Sequence, residues 1–121
     1  MASADTAVVV HWNGSMITKD NEIEYSTHPK VVLFISKGDV FHTLYEGVLK
    51  HIREDGFSEI KSIYGKMPKF QNSVYVASRA WPIHDDRSWI CFSRVAFQEY
   101  QELQIFVDVI NNSMPPPPHK I

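Results

Sequence analysis

The side chains most able to do chemistry in this chain of 121 residues are one cysteine, six histidines and a single Asp-Asp step. A nucleophilic Cys91 would need a nearby base and an electropositive setting, and within Trp89-Ile90-Cys91-Phe92 it reads instead as a small buried apolar group. His42 and His51 stand nine apart on one predicted helix, and nine residues of helix rise about 13 Å, too far to share a metal. Asp85 and Asp86 are adjacent, so their side chains point apart, and they stand where a helix has to begin. Capping or a solvated acidic loop explains the pair better than a metal or acid–base site, with partner binding as the remaining role. Gly65-Lys66-Met67 lacks the preceding glycine and the helix start of a phosphate loop. No catalytic, cofactor-binding or metal-ligating residue is therefore expected, and the chain does not read as an enzyme or as a binder of a small-molecule substrate.

Charge narrows the partners. Twelve Lys and Arg against 14 Asp and Glu give a net charge of -2 and a pI near 6.3, so no global positive field exists to hold a phosphate backbone. Lys61 to Lys69 and Ser93-Arg94 supply scattered positive charge without a motif, which leaves a local DNA contact as the weaker alternative. A lone cysteine forms no internal disulfide and fits a reducing compartment. The opening residues carry no basic charge, and no apolar run approaches the ~18 residues of a membrane span. A nuclear or cytoplasmic protein with no membrane contact is expected.

These residues have to be positioned by a small set of elements. Ala7 to Trp12 is a β-branched and aromatic run ended by Asn13-Gly14, which predicts a first hairpin. Its return arm is Ser15 to Thr18 or an irregular extension through Glu22 to Tyr25, because Lys19-Asp20-Asn21 is itself turn-like. Val31 to Ile35 reads as a central strand. From Asp39, a candidate N-cap, to about residue 54, Val40, Leu44, Val48 and Ile52 recur every four residues beside Phe41, Tyr45 and Leu49, the stripe of an amphipathic helix. Gly56 suits the left-handed residue after it. Ser58 to Tyr64 and Asn72 to Ser78 are predicted strands joined by a loop containing Pro68. A short helix capped by the two aspartates runs through Trp89, Ile90, Phe92 and Val95, and Leu103 to Val109 alternates as a closing strand. Pro115 to Pro118 favour an extended segment.

The resulting order, ββαββαβ, is that of an α+β β-grasp, with a mixed sheet packed on one main helix. The division is a flexible N-terminus over 1–6, a domain over 7–110 and a proline-rich tail or linker over 111–121. Within that order, Val8-Val9-Val10-His11-Trp12-Asn13-Gly14, Glu24-Tyr25, Trp81-Pro82-Ile83-His84-Asp85-Asp86 and Leu103-Gln104-Ile105-Phe106-Val107 resemble the N-terminal domain of plant MuDR-type (Mutator-like) transposases, which is similar to the ubiquitin-like PB1 module. The resemblance implies a transposon-derived, non-catalytic domain that acts through a protein partner or self-association and needs no cofactor. PB1 domains commonly pair a first-strand lysine with an acidic cluster on another molecule. Here the first strand has no lysine, and the acidic step holds only Asp85 and Asp86 before Arg87.

Strand alternation then supplies candidate contact residues. If Val8, Val10, Leu33, Ile35, Leu103, Ile105 and Val107 face the helix, Val9, Val32, Phe34 and Phe106 face the other way. In a β-grasp sheet these four are neighbours, forming an apolar docking surface unless the 81–100 connection or the tail covers them.

Overall fold

The apolar positions spaced for a helix and the short strand runs have to share one core in a chain this small, and they do so by packing a five-stranded sheet under two helices. The computed structural model describes residues 5–36 and 40–110. In chain order the elements are β1 (Thr6–Trp12), β2 (Met16–Lys19), β3 (Glu22–Tyr25), β4 (Val31–Ile35), α1 (Phe41–Glu54), β5 (Glu59–Gln71), β6 (Val74–Pro82), α2 (Asp86–Tyr100) and β7 (Leu103–Ile110). A mixed five-stranded sheet runs β4-β1-β7-β5-β6, with β1 and β7 parallel at its centre, and β2 and β3 form a separate two-stranded sheet. This is a small α+β domain, and without the β2–β3 insertion its element order is ββαββαβ.

One sheet face carries both helices. Val8, Val10, Leu103, Ile105 and Val107 from the central strands pack in a single cluster with Leu44, Val48 and Ile52 of α1 and with Trp89, Phe92 and Ala96 of α2. Burying each large aliphatic side chain is worth about 1.5–3 kcal/mol, so this layer dominates the stability. α1 buries Leu44, Val48, Leu49 and Ile52 of the predicted stripe and half-buries Phe41 and Tyr45, while Val40 stays exposed before the helix, and Gly56 follows it at φ +96°. The candidate cap Asp39 lies outside the described residues, as does the tail from 111. The residue flanking the helix start is Val40, which offers no side-chain acceptor.

Four expectations need correction. First, Asn13-Gly14 does not fold β1 back on a neighbour. β1 pairs antiparallel with β4, and the hairpin is β2–β3, turning at Asp20 and Asn21 with φ of 54° and 65°. Gly14 is required by close approach instead, since a Cβ there would stand 2.7 Å from both Ser26 Oγ and the Tyr25 ring. Second, Val31–Ile35 is an edge strand rather than a central one. Third, β5 and β6 form one long hairpin turning at Asn72 and Ser73, and Pro68 lies inside β5 opposite Ser78. Proline is tolerated there because its pair is not hydrogen-bonded: the Ser78 N–H points away from β5 and donates to the Asn21 carbonyl. Fourth, α2 is a full 15 residues, and its buried line Trp89, Phe92 and Ala96 leaves Cys91 and Ile90 exposed on the other side.

Candidate protein-docking surface

The two aspartates are brought to the start of α2, and both are used by the fold. Ser88 N–H donates to Asp85 Oδ1 at 2.8 Å while Asp85 N–H donates to Ser88 Oγ at 3.1 Å, a reciprocal capping box. The Ser88 amide and hydroxyl hold the Asp85 carboxyl below its ordinary value. Asp86 Oδ1 accepts from Phe41 N–H at 2.8 Å, so it serves the first turn of α1, which Val40 leaves without a cap of its own. Candidate partner-binding residues Asp85 and Asp86 are thus helix caps, each engaged through its Oδ1.

Val9, Val32, Phe34 and Phe106 do lie on the face away from the helices, but they divide into two groups. Phe106 is 1% exposed. Tyr25 stacks on it at 5.4 Å between ring centroids and 10° between planes, and His11 meets it edge-on at 5.4 Å. The cover is the β2–β3 hairpin rather than the 81–100 connection, and the tail lies outside the described residues. By contrast Phe34 is 68% exposed and Val32 44%, with half-buried Val9 opposite Val32 in the β1–β4 register. Of these four residues the bare ones are therefore Val32 and Phe34, on the free edge strand, with half-buried Val9 beside them.

What seats the hairpin was not visible in sequence. Glu22 from β3, Lys66 from β5, Tyr75 and Ser78 from β6 and Tyr100 from α2 meet in one polar cluster. A carboxylate only accepts, so the Tyr75 hydroxyl donates to Glu22, 2.7 Å from Oε1, and the Tyr100 hydroxyl donates to Tyr75 at 2.7 Å. Ser78 Oγ donates to Glu22 Oε1 at 3.0 Å and accepts from Ile23 N–H at 2.8 Å, and Lys66 Nζ stands 3.5 Å from the same carboxylate. Burial alone would raise Glu22, but the Tyr75 and Ser78 hydroxyls and the Lys66 charge together hold it below its ordinary value. Burial raises both tyrosines, and donation to Tyr75 raises Tyr100 further, so neither hydroxyl is suited to base or nucleophile chemistry near neutral pH. The cluster is a fastening between hairpin and sheet.

Phe70, Val74 and Val76 are also exposed, at the end of the β5–β6 hairpin. A groove of about 360 Å³ between α1 and β5 is lined by Phe41, Tyr45, Ile60, Lys61, Tyr64 and His84, with little polar convergence. The nearby His84–Asp85 pair, 3.5 Å apart, is solvated on both sides. Among the described residues there is no group of three or more His, Cys, Asp or Glu able to hold a metal, and no helix is long and apolar enough to cross a membrane. No protein-family model, curated protein or solved structure matches the chain.

Proposed function

We propose that this chain is a non-catalytic protein-interaction or oligomerisation domain of β-grasp type, similar to the PB1-like N-terminal domain of plant MuDR-like transposases. The observation that carries the docking role is the exposed Phe34–Val32 pair on an unpaired sheet edge, in a domain that buries Phe106 on the same face. The β4-β1-β7-β5-β6 order, with parallel centre strands under α1, supports the β-grasp assignment. Engagement of Asp85 and Asp86 as caps weighs against a PB1-style acidic contact and directs the proposal to the apolar edge.

A photo-crosslinking residue at position 34 tests the proposal. It should capture one defined protein, or a second copy of the chain, that binds again when both components are purified, and Phe34→Ser should abolish that binding. Absence of any protein partner together with absence of self-association at high concentration would overturn it. A salt-dependent shift of duplex DNA by the folded domain would favour the DNA-contacting alternative instead.

A further inference from the structure

Resting on that docking reading, we propose that the occupant of the bare edge is a second copy of this chain, paired β4 to β4 in antiparallel fashion about a two-fold axis at Leu33. Two five-stranded sheets would thereby become one continuous sheet. Three observations converge on this occupant. The first is the edge itself. β4 pairs with β1 over Val31–Ile35 without a register shift, and among the described residues no strand pairs with its other side. Alternate residues of such a strand direct N–H and C=O groups outward, a template for another strand.

Self-complementarity is the second. A two-fold interface sets a patch against itself, and centring the pair on Leu33 places Phe34 of each copy opposite Val32 of the other. Phe34 and Val32 are 68% and 44% exposed, and both lie on the outer face, so two identical cross-strand contacts form at once. Natural edges are commonly protected by a charge or proline within the strand, but Val31–Ile35 is wholly uncharged and Pro29 and Lys30 precede it.

Charge is the third. In this register exposed Lys30 of one copy stands opposite Ser36 of the other, and the Ser36 hydroxyl donates to Asp5 Oδ1 at 3.1 Å. The lysine stem is long enough to bring its ammonium to that carboxylate, and symmetry supplies the contact twice. A shift of one residue would put Phe34 of one copy against the helix side of the other and lose both charge contacts.

Sedimentation equilibrium on the full chain over a wide concentration range tests the inference, with thermal melts to confirm that each variant is folded. The wild-type chain should dimerise, Phe34→Lys should weaken the dimer about tenfold or more, and Lys30→Asp should weaken it in a salt-sensitive manner. Adding Asp5→Lys to Lys30→Asp should restore dimerisation, a rescue that no other surface predicts. A wild-type chain that stays monomeric, or a dimer indifferent to both Phe34→Lys and the charge swap, overturns this inference. The broader docking proposal stands or falls separately, on whether the residue at position 34 captures a different protein.

Discussion

The outer face of the sheet has two halves made by the same strand alternation, and they meet opposite fates. On the β7 side Phe106 is sealed under Tyr25 and His11; on the β4 side Phe34 stands in solvent. Apolar character does not separate them. What separates them is the β2–β3 hairpin, whose reach is fixed by the Glu22, Tyr75 and Ser78 fastening and by the Asn21 carbonyl on Ser78. An apolar outer-face residue thus joins the core where an insertion covers it and stays in solvent where none does.

The sharpest way to break this division is Phe106→Ala. If the covered half is a second core, the substitution should cost about 3–5 kcal/mol in urea unfolding, as for other buried phenylalanines. Ser78→Ala removes the acceptor of the buried Ile23 N–H and a donor to Glu22, so a loss of about 1–3 kcal/mol is expected. An effect near zero in either variant would mean that the hairpin is not seated as described.

Acid should loosen the same half. Burial holds His11 below its ordinary value, opposed in part by the Thr27 carbonyl, to which Nδ1 donates at 3.1 Å. Between the unfolded value of 6.5 and the lower folded one, the unfolded chain binds a proton that the folded chain refuses. Stability from His11 is thus complete above about pH 6.5 and falls as the pH drops through that window. Glu22, held low by its donors, adds a second loss once the pH falls below its ordinary 4.5. Unfolding midpoints measured from pH 8 to 4 should decline in both windows, and His11→Phe should flatten the upper one.

Much of the helix-bearing face is legible in the sequence, because its signals are local. The four-residue recurrence of Leu44, Val48 and Ile52 marks α1, Asp85 marks the cap of α2, and alternation from Leu103 to Val107 marks β7. The misreadings arise where distant partners decide. Asn13-Gly14 has the composition of a hairpin turn, yet the turns form at Asp20-Asn21, inside the insert whose composition is itself turn-like, and at Asn72-Ser73, where non-glycine residues accept positive φ because the flanking strands pair. Pro68 reads as a loop until Ser78 is seen to face Asn21 rather than β5. Of the six candidate contact residues, Val32 and Phe34 are exposed apolar side chains with Val9 half-buried beside them, and Asp85 and Asp86 are exposed but serve as caps. The covering of Phe106 and the capping of α1 by Asp86 depend on contacts between elements far apart in the chain.

The smallest expected effect on folding belongs to the residue with the largest expected effect on association. Phe34→Ser, read by urea unfolding and by sedimentation on the same sample, tests the division of the outer face most directly. The domain should keep its stability to within about 0.5 kcal/mol, as at other exposed sites, while self-association is lost. A stability loss as large as that of Phe106→Ala, or association that survives the substitution, would contradict it.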